Sequence, residues 1–75
     1  MRSLSEIARD VKKDWKNVNY AAKPYLDVMS SLHRIDDQYR TESARSIVLY
    51  FLSNASSWRG DTAKAIKTEL KSMLK

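Results

Sequence analysis

Thr41-Glu42-Ser43-Ala44-Arg45-Ser46-Ile47-Val48-Leu49-Tyr50-Phe51-Leu52-Ser53-Asn54 is the stretch on which the fold turns. Ala44, Ile47, Val48 and Phe51 recur at the i, i+3, i+4, i+7 spacing of one helix face, and Ala55 continues it. Leu49, Tyr50 and Leu52 widen the stripe to nearly the whole circumference. A helix apolar almost all round belongs under other helices. The reading is therefore a helix 3 over about 41–54, central in the fold, with Thr41 or Asp37 as its cap.

Upstream lies a polar connector, His33 to Arg40, anchored by Ile35 and Tyr39. Before it, Tyr25, Val28, Met29 and Leu32 predict a helix 2 over 25–32. Pro24 has no amide hydrogen and fits its first turn, and Ala21 and Ala22 add to the stripe if one more turn forms upstream. Ser3-Leu4-Ser5-Glu6 has the form of a capping box. Leu4, Ile7, Ala8, Val11 and Trp15 follow within about 80° of arc. Helix 1 should run from Ser3 to Trp15 or Lys16, where Asn17 and Asn19 favour turns. Downstream, residues 53–57 read as a turn. A helix 4 begins between Ser57 and Asp61 and buries Ala63, Ile66, Leu70, Met73 and Leu74. Gly60 leaves its start ambiguous between an interior position and a cap.

Composition narrows the class. The chain has 75 residues, one Gly, one Pro and no Cys. So little turn chemistry disfavours hairpins, and the expected fold class is all-α: a compact four-helix bundle-like domain spanning 1–75. Without Cys there is no disulfide framework, thiol nucleophile or cysteine-ligated metal. A secreted domain of this size usually carries such staples, and residues 1–16 are charged throughout, so the expected compartment is the cytoplasm. No apolar run approaches the ~20 residues of a bilayer span, so no membrane partner is expected. The two Trp, four Tyr and one Phe argue against disorder. In a chain this short, burial and chain ordering nearly offset each other, which leaves little surface to spare and makes a homodimer a reasonable state.

Lys plus Arg outnumber Asp plus Glu by 14 to 9, a net charge of +5. Lys64, Lys67, Lys71 and Lys75 share the polar face of helix 4 and are candidate nucleic-acid contacts; equally, cations suit a helix C-terminus. Arg2, Arg9, Lys13 and Lys16 form a basic strip on helix 1, diluted by Glu6, Asp10 and Asp14. Glu6–Arg9 and Asp10–Lys13 have the spacing of ordinary surface pairs. Helix 3, a short turn and helix 4 mimic a helix-turn-helix only weakly, because lysines stand where base-reading Arg, Asn or Gln would. Ser56, Ser57 and Arg59 are a candidate anion site at the start of helix 4, against a plain reading of N-capping with Trp58 anchored in the core.

His33 with Asp36 and Asp37 is the one cluster with any metal-binding or acid–base character. It lacks a second His, and the plain reading is a polar loop. The Arg59-Gly60-Asp61 tripeptide and the Asn54-Ala55-Ser56 sequon are expected to be coincidental. A bundle this small leaves little room for a catalytic pocket, so neither enzyme activity nor a cofactor is expected. Among the aromatics, Tyr20, Tyr25 and Tyr50 are expected nearest the surface and are candidate protein-interface residues.

Two segments, Asp14-Trp15-Lys16-Asn17-Val18-Asn19-Tyr20-Ala21-Ala22-Lys23-Pro24-Tyr25-Leu26 and Tyr50-Phe51-Leu52-Ser53-Asn54-Ala55-Ser56-Ser57-Trp58-Arg59-Gly60, resemble parts of short uncharacterised all-α proteins of Gram-positive bacteria and their mobile elements. That resemblance implies a bacterial or phage origin and carries over no functional residues. The expected function is a small non-enzymatic module that binds an unknown protein partner or a second copy of itself. The alternative is a nucleic-acid-associated accessory protein using the lysine stripe of helix 4.

Overall fold

Helix α1 (Leu4–Asp14) starts as its sequence dictates. The Ser3 hydroxyl accepts from the Glu6 amide at 3.2 Å, and the Ser3 amide donates back to the Glu6 carboxylate at 3.3 Å. Two of the amides that a helix start leaves unpaired are thereby satisfied. Leu4, Ile7, Ala8 and Val11 are buried, and the helix ends at Trp15, whose backbone is extended. This is a computed structural model, and it describes residues 2–40 and 42–74.

Asn19 organises the entry to α2 (Lys23–Met29). Its side-chain oxygen accepts from the Ala21 amide at 2.8 Å, and its carbonyl accepts from Ala22 and Lys23. Pro24 sits in the first turn, where its missing amide costs nothing. The helix is shorter than its sequence suggests and stops at Met29. Leu26, which lies outside the expected stripe, is buried with Met29, while Tyr25 and Val28 are half-buried. Leu32 is buried beyond the helix end.

The connector contains the clearest departure from an all-α fold. Strands β1 (Gln38–Tyr39) and β2 (Glu42–Ser43) pair antiparallel, with Gln38 opposite Ser43 and Tyr39 opposite Glu42. The reversal uses Arg40 at φ 58°, a left-handed conformation that sequence reading assigns first to Gly or Asn. Asp37 braces the approach: its carboxylate accepts from the His33 and Arg34 amides, both at 3.0 Å. The His33 carbonyl in turn accepts from the Leu4 amide at 2.9 Å, which ties the connector to the first turn of α1.

The hairpin consumes residues that the sequence reading gave to helix 3. Helix α3 is Ala44–Ser53, shorter than the expected 41–54. Ser43 caps it by accepting from the Ser46 amide at 3.1 Å. Asp37 is not the cap, because its side chain is spent on the connector; Thr41, the other candidate, lies outside the described residues. Helix α4 (Asp61–Met73) begins at Gly60, the N-cap, with φ 115°. Gly60 is thus at the cap rather than in the interior.

The result is mostly helical with a small two-stranded sheet, and it is not a plain four-helix bundle. A seven-residue α2 and the long connections over 15–22 and 30–43 preclude parallel alignment of four equal helices. Helix α2 packs chiefly on α3, and α1 packs on both α2 and α4. Ala44, Ile47, Val48 and Phe51 are buried, but Leu49 and Tyr50 are 50% and 47% exposed. Helix α3 is therefore not covered on all sides: it packs chiefly on α2 and β2 and is not the central helix that its apolar sequence suggests. The core beneath it is dry: no polar or charged side chain is buried among the described residues. Trp15, Phe51 and Trp58 meet there. The two indoles stack at 5.7 Å and 9°, and Phe51 meets Trp15 edge-on at 6.3 Å.

Candidate functional site

Two surfaces carry features that the fold does not consume. The first lies on α2 and α3. Tyr25 and Tyr50 face each other across the two helices with ring centroids 5.4 Å apart. Leu49 flanks Tyr50. Tyr20, 88% exposed, sits in the turn that leads into α2. That turn reaches the C-terminal end of α3 through Asn19, whose side-chain amide donates to the Asn54 carbonyl at 3.3 Å. Tyr20, Leu49 and Tyr50 are the exposed large hydrophobics of the described residues. Two of the three tyrosines named from sequence therefore pair directly, and the third stands in an adjoining turn. Tyr25 is half-buried by that pairing rather than free.

Leu49 was missed by the sequence reading, although a signal for it exists. At 100° per residue it falls about 140° from the centre of the α3 core stripe, too far round to be covered by helices that pack on that stripe. The polar positions Ser46 and Ser53 share that outer side. Charge is sparse here: Arg45 is the single charged residue of α3, and Lys23 and Asp27 are those of α2. A charge-poor, aromatic-rich patch has the composition of an interface centre.

The second surface lies on α4 and the loop before it. Arg59, Lys64, Lys67 and Lys71 line a shallow depression of about 450 Å³, floored by Trp58, Gly60, Ala63 and Thr68. Three of the four stripe lysines are thus brought together; Lys75 lies outside the described residues. The Lys67 ammonium donates to the Trp58 carbonyl at 2.6 Å and sits 5.8 Å from the Trp58 ring centroid. Burial, then the charges of Lys71 and Arg59, push this ammonium below the usual lysine range. Trp58 itself is buried, and its indole N–H donates to the Asp14 carboxylate at 2.8 Å.

The anion site expected at Ser56, Ser57 and Arg59 is not assembled. The helix starts at Asp61, so Ser56 and Ser57 stand in an exposed turn upstream and cap nothing. Gly60 takes the cap position at φ 115°, a backbone conformation that residues with a side chain rarely adopt. Arg59 belongs instead to the α4 depression. Trp58 is anchored in the core as the plain reading held.

The basic strip of α1 is also rearranged. Arg2 leaves it to form a clamp, pairing with Asp10 and, through two nitrogens at 2.7 and 3.3 Å, with Glu69 of α4. These partners, Glu69 first, raise the Arg2 pKa further above its already high ordinary value. Glu6 turns back to Ser3, so the expected Glu6–Arg9 and Asp10–Lys13 pairs do not form among the described residues. On the connector, Asp36 pairs with Arg34 at 3.3 Å. Asp37 serves the backbone, whose Arg34 and His33 amides hold its carboxyl below the usual range. The depression nearby, about 590 Å³, mixes Arg2, Arg34 and Arg45 with Glu6 and Asp36. Among the described residues no group of three His, Cys, Asp or Glu side chains is placed to hold a metal ion. No helix there is long and apolar enough to cross a membrane.

Comparison with protein-family models, curated proteins and solved structures found no match to this chain.

Proposed function

We propose that this chain is a small non-enzymatic binding module that works through its α2–α3 face, and that the face docks a second copy of the chain. The observation that supports this reading is the Tyr25–Tyr50 pair across α2 and α3, with exposed Leu49 beside Tyr50 in the chain and exposed Tyr20 in the turn before α2. The remaining Trp, Phe, Ile and Leu side chains of the described residues are buried or half-buried. Tyr and its aromatic neighbours concentrate at interface centres because a large rigid ring loses little entropy on contact. The low charge of α2 and α3 calls for an apolar surface opposite, and the same face on a second copy provides one under two-fold symmetry.

The footprint of two short helices falls at or below the ~800 Å² per partner of a standard interface, so the expected association is weak and concentration-dependent. Sedimentation equilibrium over a wide concentration range tests it. The expected result is a mass that rises from the 8.7 kDa monomer toward the dimer. A monomer mass at high micromolar concentration overturns self-association, and a dimer that Leu49→Ser with Tyr50→Ser leaves intact overturns this face as its site.

A further inference from the structure

The depression on α4 is independent of the tyrosine face, and three observations set it apart from the other concave surfaces of the molecule. First, four cations line it and no carboxylate does; the connector depression contains Glu6 and Asp36, the depression between α1 and α2 contains Asp27, and the one lined by Ser5, Arg9, Lys12 and Ser30 has two cations only. Second, two acidic groups of the neighbouring structure are already engaged. Glu69 of α4 is held by Arg2, and Asp14 accepts from the Trp58 indole. Asp61, the first residue of α4, is exposed and does not line the depression. Third, three of the four cations are held by a helix, and only Arg59 comes from the loop before it. Lys64, Lys67 and Lys71 project from one side of a 13-residue helix, and Lys67 is fixed by its bond to the Trp58 carbonyl. Like charges gathered on one face repel one another, and a bound polyanion relieves that repulsion.

We infer that this face binds the phosphate backbone of nucleic acid, without reading sequence. The lysines span about 10 Å along the helix axis at 1.5 Å per residue, the length of about three successive phosphates on one strand. Ammonium groups are point charges suited to phosphate and poor at bidentate base recognition. Trp58 is buried and offers no ring for a base to stack on, so single strands gain nothing over duplex from it.

The test is fluorescence anisotropy with a labelled 20-base-pair duplex between 50 and 300 mM salt. Four phosphate contacts predict a plot of log K against log[salt] with a slope of about −3.6. Lys64→Gln with Lys71→Gln, both exposed positions, should reduce the slope to about −1.8, with an unchanged circular dichroism melt confirming the fold. Arg9→Gln with Lys23→Gln removes the same net charge away from α4 and should leave the slope in place. Absence of duplex binding at 50 mM salt overturns the proposal, as does an equal loss in both double variants. Two further arms fix the source of the phosphate. Capture of phosphatidylserine vesicles without duplex binding assigns the face to a lipid surface, and polyglutamate binding as tight as duplex binding shows that charge alone is recognised. Either result overturns a nucleic-acid site.

Discussion

Five of the chain's aromatic side chains fall into two clusters with opposite roles. Trp15, Phe51 and Trp58 come from the end of α1, the last turn of α3 and the loop before α4, and they close on one another in the core. Tyr25 and Tyr50 come from α2 and α3 and close on one another at the surface. Phe51 and Tyr50 are consecutive in the chain, so a single 100° step around α3 separates a fully buried residue from one left half-exposed. What distinguishes the clusters is not ring chemistry alone. The Trp58 indole N–H has a carboxylate partner supplied within the chain, and Phe51 needs none. The Tyr25–Tyr50 pair meets solvent on its outer side.

The comparison breaks most visibly at Phe51. Phe51→Ala removes the ring that packs against both stacked indoles and should cost about 3–5 kcal/mol in urea denaturation, a large share of the stability of so small a domain. A variant that denatures like the parent would mean that the buried cluster does not hold the fold. Gly60→Ala comes next. Nothing lies within 4 Å of a Cβ added there, so its effect is purely that of the backbone, which must hold φ 115° to turn from Trp58 into α4. The expected cost is about 1–3 kcal/mol, read from the thermal midpoint. Tyr50→Ala removes one ring of the surface pair and should cost no more than about 1 kcal/mol of monomer stability. A loss as large as that of Phe51→Ala would place Tyr50 in the core and erase the distinction.

The smallest expected effect lies away from both clusters. Ser3 holds the Glu6 carboxyl, and the Arg34 and His33 amides hold that of Asp37, below their ordinary values of 4.5 and 3.8. Lowered folded values mean that the stabilisation is complete above the ordinary ones and is lost as pH falls through the folded ones. The thermal midpoint should therefore fall on acidification below about pH 4.5, and Asp37→Asn should flatten part of that fall. A midpoint independent of pH in this range contradicts both contacts.

The elements that sequence made legible are those set by local chemistry. The capping box at Ser3, the α1 stripe and Pro24 in the first turn of α2 each depend on residues within a turn of one another. The hairpin at 38–43 was not legible, because its reversal places Arg40 in a conformation that Arg seldom adopts and its strands are two residues long. The shortened α3 and its Ser43 cap follow from that one omission. At the candidate sites, the tyrosines and the lysine stripe were readable as helix faces. The Arg2 clamp, which links α1 and α4 and occupies Glu69, joins residues 67 positions apart and has no local signature. Nor does the Trp58 carbonyl that fixes Lys67, whereas Ser56 and Ser57 fall short of the helix start for a local reason, since α4 begins at Asp61 with Gly60 as its cap.

Sedimentation equilibrium of the parent chain beside the Leu49→Ser, Tyr50→Ser double variant tests the central claim most directly. The parent mass should climb toward the dimer with concentration, while the variant keeps its helical circular dichroism and stays at the monomer. A parent that stays monomeric, or a variant that associates as the parent does, contradicts that claim.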